Sequence, residues 1–417
     1  MRVLRVPGFG PLLAGEAISS IGNWVALIAI WGFAAFRFDA GAADLALLFV
    51  VLSLPGALLG PVLGVSIDRL GPRRTLLLAN ALGFLDALAL SQADSYTGIV
   101  VLALPLGLIE ALASASLDSL PPRLVPDEDL VTANALLGGA QDLAIIVGPA
   151  VAALVNVRWG LGAAFLADAA TFLAGFVVAL PLTVGPVGGA APQSTWRALR
   201  EGLGLARRTA GLRWTLSVAS VTYLLWALFG VLEPLYVRDV LEESDTMFAL
   251  LQTVFGAGLV GSGLALAAVG ERIARPRYVA LATVVSGGTA ALYLGTDSLA
   301  VAFVGVFLWG VDVAFFYVPA KTLLQRYSPL AAHGRVLSLN QSLEPAAGLV
   351  MAPVAAVLVG VVGVQRLGVA GGAVVAVAGV VALHLSRRLG PPPPAVLGDP
   401  TAGSPREAIA LGGPAPG

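Results

Sequence analysis

Long apolar blocks alternate with short charged or Pro/Gly-rich breaks along almost the whole chain. Twelve blocks stand at approximately 9–36, 42–66, 74–92, 97–119, 131–156, 160–181, 214–240, 247–269, 277–295, 298–319, 335–362 and 365–386, with the briefest breaks near 96 and 296. A helix that crosses a bilayer needs about 20 predominantly apolar residues, so each block has the length of one span. The pattern predicts an all-α membrane protein with twelve transmembrane helices. The widest polar interruption, at 182–213, opens on Gly and Pro and carries five arginines, and TWRALREGLGLARR within it predicts a surface helix. Beyond Arg388 the Pro/Gly-rich chain has the composition of a disordered tail. These breaks divide the chain into a bundle of six helices over 1–181, a linker over 182–213, a second bundle over 214–388 and a tail over 389–417. The opening MRVLRVPGFGPLL is basic and then apolar, like a signal peptide. Its apolar block runs too long and lacks a small-residue cleavage pattern, which predicts a retained first helix.

Composition strengthens this picture. With 58% hydrophobic and 12% charged residues and a mean hydropathy of +0.89, the chain has too little polar surface to cover a soluble globule. The basic residues supply an orientation. With a cytoplasmic N-terminus, 20 of the 24 Lys and Arg residues fall in cytoplasmic segments, and only Arg37, Arg158, Arg238 and Arg366 fall outside. That bias predicts a multi-pass protein of the inner (cytoplasmic) membrane with both termini in the cytoplasm. The absence of cysteine excludes disulfides and thiolate metal sites. His333 and His384 stand alone, so no metal is expected. No phosphate-cradling loop with its lysine occurs, and GAGLVG (256–261) lies inside a span rather than after a strand, so no nucleotide cofactor is expected. No nucleophile and base pattern marks an enzyme.

The chain also repeats. GVSIDRLGPRR (64–74) lies between spans two and three, and AAVGERIARPR (267–277) between spans eight and nine. Asp68 pairs with Glu271, Arg69 with Arg272 and Arg74 with Arg277, each 203 positions apart, as do Arg123 with Arg326 and Pro126 with Pro329. Six spans in parallel duplication therefore predict two pseudo-symmetric six-helix bundles.

These strings carry a family resemblance. GVSIDRLGPRR resembles the G-x-x-x-D-R-x-G-R-R loop of the major facilitator superfamily, in the loop position that family requires, although Pro72 replaces a basic residue. AIIVGPAVAA (144–153) in span five is similar to the antiporter motif of its drug/proton branch, with Ala144, Ala152 and Ala153 in place of the outer glycines. LPPRLVPDEDLVTANAL (120–136) and FLADAATF (165–172) look like the subgroup of macrolide and tetracycline efflux pumps and siderophore exporters. The resemblance implies the major facilitator fold, with spans 1, 4, 7 and 10 and spans 2, 5, 8 and 11 around a central path and spans 3, 6, 9 and 12 outside. It also assigns gating roles to Gly64, Asp68, Arg69, Gly71, Arg73 and Arg74 in the loop, with Arg73 pairing Asp118, and to Gly148 and Pro149 in span five. Each has a plainer alternative. The arginines also set topology, and Gly148-Pro149 also makes an ordinary packing kink.

Eight acids lie inside apolar spans: Glu16, Asp86, Glu110, Asp142, Asp168, Glu233, Asp312 and Glu344. A charge at the bilayer centre costs about 2.5–3.5 kcal/mol or more, so such acids are expected to face a wet cavity or a partner. Glu110 and Asp312 correspond under the repeat, as do Asp142 and Glu344, each pair 202 apart; under the resemblance all four face the translocation path. Glu16, Ser20 and Asn23 form one helical stripe, and Glu110, Ser114 and Asp118 another. Tyr223, Trp226, Gly230 and Glu233 make an aromatic stripe ending in an acid, with Trp309, Asp312 and Phe316 in span ten. Aromatic faces beside carboxylates suit a lipophilic cation, whereas packing alone also explains each aromatic. Glu233 is expected at the edge of the path, and Asp86 and Asp168 are expected to bond neighbouring backbone.

The combined reading is a proton-coupled exporter of small lipophilic cations working by alternating access. Its expected partners are a small-molecule substrate, protons and the lipid bilayer, with no nucleic acid, and the chain is expected to act as a monomer. The rival readings are an exporter of a metabolite, siderophore, lysolipid or divalent metal, and a non-transporting receptor or assembly factor on the same fold.

Overall fold

In a computed structural model of the chain, the described residues are 2–184, 195–269, 273–329 and 332–389. The side chains at Asp68, Arg69 and Asp142 lie outside the described residues, as do the surroundings of Gly64, residues Glu271 and Arg272, the linker stretch 185–194 and the tail from 390. The helices are α1 (Phe9–Gly32, continued by a π-turn over Phe33–Arg37), α2 (Ala42–Leu70), α3 (Pro72–Leu90), α4 (Tyr96–Asp118), the short α5 (Pro121–Leu124), α6 (Leu130–Trp159) and α7 (Leu161–Ala179). They continue with α8 (Thr195–Arg208), α9 (Ala210–Asp239), α10 (Asp245–Val269), α11 (Pro276–Leu294), α12 (Leu299–Tyr327), α13 (His333–Val362) and α14 (Val364–Ser386). Helix α8 occupies the TWRALREGLGLARR string, and α9 starts four residues before the expected seventh span.

The helix boundaries repeat as the charged loops do. Leu130 and His333 open α6 and α13, Trp159 and Val362 close them, and Leu161 and Val364 open α7 and α14, always 203 positions apart. Single glycines turn the chain between these helices: Gly160 has φ +80° and Gly363 φ +82°. Both have extended ψ values, 166° and 161°, a backbone region open essentially to glycine alone.

Nine of the described helices are long and apolar enough to cross a membrane. Helices α3 and α11 are not among these nine, and they bury Thr75, Asn80 and Asp86, and Thr283, Ser286 and Thr289. In the first half α1 packs on α6 and α7, α2 on α4, and α3 on α4 and α7; α9, α10 and α11 repeat this against α12, α13 and α14. The halves meet along α2 with α13 and α6 with α10. That is one contact made twice, since α10 is the repeat of α2 and α13 of α6. The helices alternate in direction, so α1 starts, α8 lies and α14 ends at one face, called here the terminal face. The opposite face is the far face.

Close approach depends on glycine. A Cβ on Gly107 of α4 would lie 2.2 Å from the Leu52 carbonyl oxygen of α2, and one on Gly310 of α12 would lie 2.0 Å from that of Phe255 in α10. Both members of each contact stand 203 apart, so the same glycine seats the same helix in both halves. Gly107→Ala and Gly310→Ala should each lower unfolding stability in detergent by about 1–3 kcal/mol. Gly139→Ala, which meets open space, should not; equal melting shifts for all three would contradict this packing.

Candidate functional site

Between the halves, toward the far face, α1, α2, α9 and α10 enclose a cavity of about 220 Å³. Its walls are largely apolar and aromatic, with Trp24 and Trp31 from α1, Phe49 from α2 and Phe248 from α10; Gln252 and Glu233 supply polar groups. Trp31 and Phe49 pack with ring centroids 6.3 Å apart. Glu233 is 4% exposed and accepts a hydrogen bond from the Tyr293 hydroxyl at 2.8 Å. Gln252 also bonds to it. No Lys or Arg is among the residues that line this cavity.

Above the cavity the far face is tied shut. The Arg238 Nη1 of α9 donates to the carbonyl oxygens of Ala35 (2.7 Å) and Ala40 (2.9 Å), and it pairs with Asp39 at 3.0 Å. The Asn156 amide of α6 donates to the Thr246 hydroxyl of α10 at 2.9 Å. Toward the terminal face, by contrast, Gln141 and Leu143 of α6 and Gln341, Ser342 and Glu344 of α13 are exposed.

The profile of the Major Facilitator Superfamily matches residues 12–241 and again residues 215–412. The chain belongs to the Major Facilitator Superfamily. Each match takes in one repeat of six spans. Among relatives, the MFS-type transporter YfiS of Bacillus subtilis (strain 168) is 24% identical over 90% of this chain and 92% of its own. Macrolide efflux protein A of Streptococcus pyogenes is 24% identical over 85% and 90%. The solved nucleoside transporter NupG superposes with a TM-score of 0.73 at 11% identity, covering 92% of this chain and all of that one (100%). A bacterial homolog of the lysosomal transporter Spinster, solved inward-facing, gives 0.65 at 14% identity over 91% and 95%. Identities this low make the structural likeness one of fold. The protein is thus a multi-pass membrane transporter, whose class implies a small-molecule substrate.

Within this superfamily fold the expected site residues separate into groups. Glu16 is 6% exposed and accepts from Ser20 Oγ at 3.1 Å and from Gln141 Nε2 of α6 at 2.7 Å, so the α1 stripe faces α6; Asn23, half-buried, lies on the next turns. Glu344 shares a face of α13 with Asn340, which donates to the Tyr223 hydroxyl of α9 at 3.1 Å, and with Gly348, which packs against Phe49.

The acids of spans four and ten point elsewhere than expected. Asp312 is 3% exposed and accepts from the Ser286 hydroxyl of α11, while Glu110, half-buried, lies within electrostatic reach of Asp86 in α3. Asp312 thus turns toward α11, which offers a hydroxyl, whereas Glu110 lies among the acids of the first bundle, within electrostatic reach of Asp86 in α3 and Asp168 in α7. Asp86 and Asp168 do not bond neighbouring backbone. The Oδ2 atom of each is buried without a hydrogen-bond partner, and Asp168 accepts only weakly from Thr171 Oγ1, at 3.3 Å.

Further corrections concern the aromatics and the gate. Trp309 packs on Phe229 (centroids 4.3 Å) and Phe255 (4.9 Å), and Trp226 on Tyr223 (5.3 Å) and Phe316 (5.7 Å); both serve the second bundle's interior and not the cavity. Glu233 is central rather than peripheral. Arg73 donates to the Ala179 and Leu180 carbonyls at the end of α7, a helix terminus rich in free acceptors, so it does not pair Asp118, which is exposed. Arg74 is exposed, and Gly71 turns the α2–α3 corner at φ +83°. Gly148 seats Trp24, whose Cβ would lie 2.2 Å from an added methyl, and α6 continues as a helix through Pro149. Trp24 and Trp31 were not singled out from the sequence, though their spacing with Leu27 and Ile28 marks one helical face.

The chain has no cysteine, so Ser53→Cys in the cavity wall makes a single reporter. With a maleimide confined to the far face, labelling should be slow. Adding Arg238→Ala should speed it at least tenfold, since hydrogen bonds to a charged group each contribute about 1.5–3 kcal/mol. An unchanged rate would mean that Arg238 does not hold this face closed.

Proposed function

We propose that the protein is a proton-coupled secondary exporter of small lipophilic, cationic compounds, acting as a monomer in the inner membrane with both termini in the cytoplasm. The observation that carries this reading is the single carboxylate of Glu233 in an aromatic cavity between the two halves, without a basic residue beside it. A carboxylate neutralises a cation in a low-dielectric site, and aromatic faces add cation–π attraction of about 0.5–2 kcal/mol. The name of the Streptococcus pyogenes relative, Macrolide efflux protein A, supports outward drug transport.

In this reading the bundles 1–181 and 214–388 rock about the cavity, joined by the linker 182–213. The arrangement with the far face tied and the terminal face exposed then admits cargo from the cytoplasm. Opening the far face requires Arg238 to leave Ala35, Ala40 and Asp39. Protons enter by the far face and are carried by five of the other membrane acids, Glu16, Glu110, Asp142, Asp312 and Glu344, and cargo leaves as Glu233 exchanges it for a proton. One monovalent cation out for one proton in moves no net charge. Drawing on the membrane potential, worth about 2.3 kcal/mol per charge per 100 mV, takes at least two protons.

Inside-out vesicles offered a cationic dye and a neutral analogue test the reading. The dye should be taken up preferentially and only with a pH gradient. Glu233→Gln should lower its uptake about tenfold or more, because a buried interaction with a charged partner contributes about 1.5–3 kcal/mol. Preference for the neutral compound, or uptake indifferent to the gradient, would overturn it.

A further inference from the structure

The terminal face carries a second cavity, of about 600 Å³, walled by the α2–α3 corner, Arg123 of α5 and the chain just beyond α7. Arg73, Arg74 and Arg123 line it, and no carboxylate is among its described lining residues. Arg73 is committed to the carbonyl end of α7. Arg74, exposed, and Arg123, half-buried, present their charge to the cavity. Helix α3, nineteen residues long, also starts here at Pro72, so the positive end of its dipole and its first-turn N–H groups add to the same field.

Beside this basic cavity lies an apolar surface with a matching pattern. On α3, Leu78, Leu82 and Leu85 are 45%, 42% and 61% exposed. On the adjoining α7 and the residue that caps it, Leu173, Val177 and Leu180 are 48%, 55% and 46% exposed. Both sets recur at i, i+4 and i+7, so each forms one stripe along its helix. Helices α3 and α7 pack in contact: Gly83 meets the Phe172 ring and Gly175 meets Asn80. Each stripe covers two helical turns, about 10 Å at 1.5 Å per residue, and both helices reach the terminal face at the basic cavity, which Leu180 also lines. None of these residues lines the central cavity.

We propose that this pocket binds the phosphate-bearing headgroup of an anionic membrane lipid, with the acyl chains lying on the α3 and α7 stripes. A free phosphate would meet the arginines but gain nothing from the stripes, and a zwitterionic lipid would bring a cation toward three arginines. Basic pockets between spans at a membrane face suit anionic headgroups for this reason. The lipid would rest against the α2–α3 corner at Gly71, so that occupancy bears on the loop whose pattern resembles the superfamily's signature.

The test uses the purified full chain in detergent, titrated with dioctanoyl phosphatidylglycerol or dioctanoyl phosphatidylcholine, with bound lipid counted by native mass spectrometry. The phosphatidylglycerol should bind at least tenfold more tightly. Arg74→Gln with Arg123→Gln should weaken it roughly thirtyfold, at about 1 kcal/mol per basic residue near an anionic surface and 1.4 kcal/mol per tenfold, while the double Lys variant retains most of the binding. Should the double Gln variant fail to fold, Arg123→Gln alone should weaken phosphatidylglycerol about fivefold. Equal affinity for the two lipids, undiminished binding in the Gln variants, or displacement of the lipid by an equal concentration of inorganic phosphate would each overturn the proposal.

Discussion

Hydrocarbon supplies no hydrogen bonds, and the architecture follows from that scarcity. Backbone groups must satisfy one another, so the spans are helices. A hydroxyl inside a span can bond back to its own helix, as Thr222 does to Val218 and Thr283 to Val279, but a carboxylate needs a donor, and three of the described acids find one on another helix. Ser286 of α11 meets Asp312, Tyr293 of α11 meets Glu233, and Gln141 of α6 meets Glu16. Helix α11 thus acts as a polar strut behind the spans that surround the centre, and its Thr283, Ser286 and Thr289 are buried within the protein.

Bilayers also supply little hydrophobic drive for helices to associate, so close packing takes its place. Gly107 against Leu52 and Gly310 against Phe255 bring the fourth and tenth helices onto the second and eighth at backbone distance. Duplication preserved these contacts, along with the glycine turns at 160 and 363. It did not preserve the chemistry of the centre. Glu233 stands where the first half has Ile30, 203 positions earlier, a residue buried without exposed surface (0%). A repeated scaffold therefore surrounds a cavity with one acid on one side, which gives any bound ligand a preferred orientation.

The number, length and spacing of the spans were legible in the sequence because a helix in lipid must be apolar over its whole crossing, and a block of twenty such residues has few other uses. The repeat was legible too, through charges and prolines at a constant interval, and it anticipated helix boundaries that recur at the same interval. Which face of each helix looks inward was not. Glu110 and Asp312 correspond within the repeat, yet Asp312 turns to the Ser286 hydroxyl of α11 while Glu110 lies near another acid, Asp86 of α3. Trp309 shares a helical face with much of span ten, but its ring is absorbed by Phe229 and Phe255.

By itself the sequence determined that this is a duplicated, all-helical membrane protein with one basic face and acidic spans, because hydropathy and charge act locally and leave a mark at each position. Only the tertiary structure decided that Glu233 reaches the central cavity, that Arg238 ties the far face and that Arg73 caps α7 instead of pairing Asp118. Those outcomes depend on helix rotation and on what a neighbouring helix presents within about 3 Å, the range of a hydrogen bond. No periodicity within a single helix encodes the partner on the other side of the contact.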